Sequence, residues 1–77
     1  MGDVTFSMTG NILVTDSFSS VMVYNQIGVM LTKFGTWGVR QGQLMNPLGV
    51  CVDPLGRIIV ANSANGRVEL FTSVGEF

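Results

Sequence analysis

Five carboxylates, four cations, one thiol and no histidine make up nearly all the ionisable chemistry of this 77-residue chain. A serine or cysteine nucleophile needs a base beside it, and without histidine neither a Ser–His nor a Cys–His pair can be assembled. A zinc centre needs clustered Cys and His ligands, and Cys51 stands alone. Asp3, Asp16, Asp53, Glu69 and Glu76 could do acid–base work only as a pair brought together between chains. The simpler reading gives them turn and strand-end roles, where a short acidic side chain accepts hydrogen bonds from nearby backbone. The chain is therefore expected not to be an enzyme, and no cofactor or metal is expected. Cys51, inside the apolar run "GVCVD", reads as a buried small hydrophobe.

Composition limits what can position these groups. Apolar residues are 47% of the chain and charged residues 12%, well under the usual share of about 25%. A small domain buries a low fraction of its surface, so one with few charges leaves apolar surface for another chain. With a single cysteine no internal disulfide can compensate, and oligomerisation is the remaining means of stabilisation. The net charge is −1 and the basic residues Lys33, Arg40, Arg57 and Arg67 are spread out, so nucleic acid is not the expected partner. No apolar run reaches the length of a membrane span. The opening "MGDVTFSMTG" lacks the basic and apolar regions of a signal peptide, and a cytoplasmic location is expected.

The elements come from a repeat. "VTFSMTGNILVTDS" (4–17) aligns with "VCVDPLGRIIVANS" (50–63) at an offset of 46: Val4 on Val50, Gly10 on Gly56, Ile12 on Ile58, Val14 on Val60, Ser17 on Ser63. Past the next turn the offset is 47, with Val21 on Val68, Tyr24 on Phe71 and Gly28 on Gly75. Each copy reads as a first strand (4–8, 49–53), a Gly-centred turn, an apolar second strand ("NILVT", "RIIVA"), a polar turn ("DSFSS", "NSANG") and a third strand ("VMVYN", "RVELF"). Glu69 alternates with Val68 and Leu70, which predicts a third strand less buried than the second. The first copy continues into a fourth strand, 29–34. A Gly- and Pro-marked loop, 35–47, leads to the second copy. A period of 40 to 50 with short strands is the pattern of propeller blades. A plain antiparallel meander or small barrel is the alternative.

These residues resemble the NHL repeat family of β-propellers over nearly the whole chain. The resemblance rests on Lys-Phe-Gly at 33–35, Gly-Gln-Leu at 42–44, Pro-x-Gly-Val at 47–50, Val-Asp at 52–53, the Gly56, Ile58, Val60 core, and Asn65, Arg67, Val68. The chain departs from the family pattern where Asn62 stands in place of the aspartate seen as Asp16. It also departs where Ser19 and Ser20 replace the Asn-x-Arg element. The resemblance implies an all-β fold of two antiparallel propeller blades, four-stranded plus three-stranded, in one unit 1–77. The first blade is 1–35, the connecting loop 36–47 and the incomplete second blade 48–77. Propellers of this kind close with about six blades, so two blades need company. Blade-on-blade contact is heterologous and can close a ring, which makes a homotrimer the expected assembly, with a strand-exchanged dimer or an open stack as alternatives.

Such propellers mostly bind proteins or RNA, and the few lyases among them rely on histidines absent here. The resemblance places loop 35–47 on one rim with 16–20 and 62–66, carrying Trp37, Arg40, Gln41 and Asn65. The expected function is a self-assembling, non-catalytic scaffold or generic binding platform. The alternatives are a protein- or peptide-binding module using the rim, and an RNA-binding platform. Trp37 packed over the blade junction and Arg67 bonded to turn carbonyls are the structural roles set against these.

Overall fold

Four short turns share one design, and three of them close hairpins. The computed structural model describes residues 4–7, 9–16 and 18–77. In each turn a residue with a side-chain oxygen is followed three positions later by glycine. The glycine N–H donates back to the first carbonyl: Gly10 to Ser7, Gly28 to Asn25, Gly56 to Asp53 and Gly75 to Thr72, at 2.9 to 3.1 Å. The first residue's own side chain takes the N–H four positions on, as Asp53 does from Arg57 (2.8 Å) and Asn25 from Val29 (2.9 Å). Gly56 sits at φ 84°, a conformation that costs little only for glycine.

An antiparallel sheet holds β1 (Val4–Phe6), β2 (Ile12–Thr15), β3 (Val21–Tyr24) and β4 (Met30–Phe34), in sequence order, with the Gly10 turn joining β1 to β2 and the Gly28 turn joining β3 to β4. A second sheet holds β5 (Pro47–Val52), β6 (Ile58–Asn62) and β7 (Arg67–Phe71), again in order. The expected all-β pair of four- and three-stranded sheets is the observed architecture. The polar turn expected at 62–66 contains one 3-10 turn, Ser63–Asn65, ended by Gly66 at φ 66°. Pro47, expected in the loop, opens β5, where a strand's first residue need not donate to the ladder. Asp3, the Ser17 match and Met8, expected to end the first strand, lie outside the described residues.

The two sheets pack through one core. Leu13, Val21 and Val23 face Val50, Ile58, Val60 and Phe71, all at most 6% exposed. Leu44, from the connecting loop, closes the core at one end and is fully buried. Phe34 tilts against Phe71 at 4.7 Å between ring centres.

Matched positions of the two copies face opposite ways relative to this core. Val21 and Val23 are buried, while their matches Val68 and Leu70 are 63% and 45% exposed. Conversely Val50 is buried, while its match Val4 is 55% exposed. The second sheet therefore packs by the face that the first turns outward. This is the arrangement of successive units in a head-to-tail stack.

One expectation, that Cys51 is buried, is corrected here, while β7 is less buried than β6 as expected. Glu69 is 3% exposed, and Val68 and Leu70 point outward. Phe71 fixes the register: it must reach the core, and Glu69 shares its face by the two-residue period of a strand. Cys51 is exposed, because its neighbours Val50 and Val52 are the residues directed toward the core.

Candidate functional site: a braced rim of three loops

The connecting loop crosses one end of both sheets and is fixed there by side chains that the strands bury. Asn62, fully buried, accepts the N–H of Met45 (2.8 Å) and donates to the carbonyl of Gln43 (2.7 Å). An amide is required for this, since it both donates and accepts. Glu69 pairs with Arg67 and accepts the N–H of Gly42 (3.3 Å). Arg67 also donates to the carbonyl of Arg40. A buried carboxylate is tolerable when it is paired and hydrogen-bonded in this way.

The rim brings together Asp16 with residues 18–20, residues 36–46 and residues 62–66. Asn46 N–H donates to the Phe18 carbonyl (3.0 Å), and Ala64 N–H to that of Met45 (3.1 Å). Asn65 donates its amide to the carbonyl of Gly38 (2.9 Å), so this residue braces the loop beside Trp37. Trp37 pairs with Leu44 in an isolated bridge and is 47% exposed. Its ring stacks on that of Phe18, 59% exposed, at 4.6 Å and 19°. Arg40 and Gln41 are exposed on the same loop.

Electrostatics here are local. Asp16 loses water to burial, which pushes its carboxyl up. The N–H groups of Ser20, Phe18 and Ser19, at 2.8 to 3.0 Å, outweigh this, and with help from Lys33 they hold it below its ordinary 3.8. Arg57 pairs with Asp53 at the opposite end of the sheets (2.6 Å).

Phe18 was not among the residues singled out from sequence. Its signal was an aromatic inside the polar turn "DSFSS", a residue type that such a turn does not itself require. The bracing roles of Asn62 and Glu69 were also missed. Their partners are 17 to 27 residues away in the chain, beyond any local pattern.

What the fold and rim define is a repeat protein built of stacked antiparallel sheets, with its loops gathered on one edge. Residues 44–71 match the family model NHL repeat, so the chain carries an NHL repeat. E3 ubiquitin-protein ligase TRIM71 of Xenopus tropicalis is 46% identical over 54 residues, which are 70% of this chain and 7% of that protein. Protein lin-41 of Caenorhabditis elegans is 48% identical over 50 residues, 65% of this chain and 4% of that protein. The B-box type zinc finger protein ncl-1 of the same organism is 42% identical over 69 residues, 87% of this chain and 8% of that protein. The chain thus spans under a tenth of the length of these relatives.

Proposed function

We propose that this chain is a non-catalytic binding module, a pair of propeller blades that stacks with further blades and offers its braced rim to a protein or peptide. Residues 1–35 form one blade, 36–47 the connection and 48–77 the other. The observation that carries the reading is the reversal of faces: what the first blade buries, the second leaves bare. A second chain supplies the missing face, and three two-blade chains supply six blades, within the range of closed propellers. The exposed Phe18–Trp37 stack supports the rim as the contact surface, with Arg40, Gln41 and Asn65 around it. Aromatic and arginine side chains dominate binding energy at interfaces.

A peptide suits this rim better than RNA. Of the two arginines at the rim, Arg67 is engaged with Glu69, which leaves the single exposed Arg40 for phosphates. The test has two parts. Light scattering after size exclusion should give three chain masses, and a single-chain mass would end the closed-ring reading. A peptide selected on the assembled protein should lose about tenfold or more in affinity to Trp37→Ala. Unchanged affinity would remove the rim from the proposal.

A further inference from the structure

The core is closed unequally at its two ends. At the rim end Leu44 reaches down from the connecting loop and fills the space between the sheets. At the opposite end, among the described residues, Ser7, Thr9 and Asn11 stand on one side and Pro54, Leu55 and Gly56 on the other. The gap between them is a cleft of about 290 Å³. Its floor is Leu13, Val23, Val52 and Ile58, three of them core residues at most 5% exposed. Ser7, Asn11 and Ser73 supply polar groups at its lip.

We propose that this cleft is a binding site for a small, neutral, largely apolar molecule of the size of one or two rings. Three observations select that class. The volume is roughly twice that of a 150 Å³ apolar cavity able to hold benzene. None of the described lining residues is charged, and the nearby Asp53 and Arg57 neutralise each other at 2.6 Å. A charged ligand would lose its hydration there and gain no counter-ion. The lip offers hydroxyl and amide groups suited to one or two hydrogen bonds. The cleft is also preformed. Its walls are two of the four side-chain-capped turns, with Asn11 N–H held by the Ser7 hydroxyl (3.0 Å) and Leu55 N–H by Asp53 (2.9 Å). A rigid site avoids the ordering cost that weakens small-ligand binding.

The site is remote from the rim and does not depend on the rim reading. The experiment is a titration of the chain with indole, followed by amide chemical shifts, alongside Val52→Phe and Ser73→Phe. Val52→Phe fills the cleft from its floor, and Ser73→Phe covers it from an exposed turn that tolerates substitution. The expected result is saturable shifts at Leu13, Val52, Ile58 and Ser73, with affinity reduced about tenfold or more in both variants while their spectra stay dispersed. Indole-3-acetate, which adds a carboxylate, should bind more weakly. Absence of saturation overturns the site. So do shifts confined to Phe18 and Trp37, or indole binding that survives in both variants. Binding lost as the protein is concentrated would assign the cleft to an apolar side chain of a second copy, and would equally overturn the proposal. Rim binding of a peptide, read at Trp37, is unaffected by any of these outcomes.

Discussion

Asp16 and Asn62 occupy the same position in the two repeats and hold different loops. Asp16 turns its carboxylate onto the N–H groups of Phe18, Ser19 and Ser20, within its own turn. Asn62 reaches instead to Gln43 and Met45 of the connecting loop. The difference in type follows from the partners. Three donors suit a carboxylate, whereas a donor and an acceptor together require an amide.

Exchange of the two types should therefore be asymmetric. Asn62→Asp loses the donor to the Gln43 carbonyl and sets a second carboxylate against buried Glu69. A cost of about 3 kcal/mol is expected, since a buried polar partner is lost and like charges are brought together. Asp16→Asn keeps an acceptor for the same three N–H groups at an exposed turn and should cost about 1 kcal/mol or less. Urea midpoints of the two variants decide it. Equal losses would mean that the connecting loop is not held by Asn62.

Acid should weaken the fold through the turns. Asp16 and Asp53 both titrate below 3.8 in the folded chain. For Asp53 burial opposes the shift, and the hydrogen bonds and charge of Arg57 outweigh it. A carboxyl whose folded value is depressed contributes stability that is present above its unfolded value and is lost as pH falls through the folded one. Thermal midpoints are thus expected to be flat near neutrality and to drop as pH passes below 3.8. Asp16→Asn and Asp53→Asn should each flatten that drop. A decline of the same steepness in the double variant would place acid sensitivity elsewhere.

Two glycines at positive φ should respond differently to alanine. Gly28 (φ 89°) has open space around the position of a Cβ, so Gly28→Ala adds only backbone strain, about 1 kcal/mol. At Gly35 (φ 104°) the same atom would overlap the Ser19 carbonyl and lie 2.8 Å from a methyl of Leu44. Gly35→Ala must displace the residue that closes the core, and a loss of about 3 kcal/mol or more is expected. Denaturation curves of the two variants test the ordering. A larger loss at Gly28 would contradict the packing of Leu44 beneath the loop.

The strands were legible because their signals are local. Alternating apolar runs and four Gly-containing turns lie within a few residues of one another, and the copies matched because matched turns use the same hydrogen bonds. Orientation was legible only in part. "RVELF" can turn either Val68 and Leu70 or Glu69 and Phe71 inward, and apolar content alone favours the wrong pair. The choice is made by Phe34 across the core and by Gly42 beside Glu69, contacts with parts of the chain far from β7 in sequence. The rim was read by position but not by bond. That Trp37 lies against Phe18 depends on the Asn46–Phe18 backbone contact, which closes 28 residues of chain.

The reversal of faces gives the sharpest test of assembly. In the first sheet Val21 and Val23 are 0% and 5% exposed because the second sheet covers them. Their matches Val68 and Leu70 present the same surface uncovered on β7. If further blades stack as these two do, Val68 and Leu70 become core residues of the assembly while remaining surface residues of the single chain. A charge placed there should leave the chain folded and prevent its association, because an unpaired charge is tolerated in water and not between packed sheets. Val68→Asp and Leu70→Glu should each give one chain mass by light scattering, with a β-sheet circular dichroism spectrum retained. Val4→Asp, on the outward face of the first sheet, should do the same, since a heterologous contact uses both faces. Glu76→Gln, in a turn, serves as the control and should keep the parent mass. Association that survives both Val68→Asp and Val4→Asp would mean that the chains meet by another surface and that the stacking seen within one chain does not extend between chains.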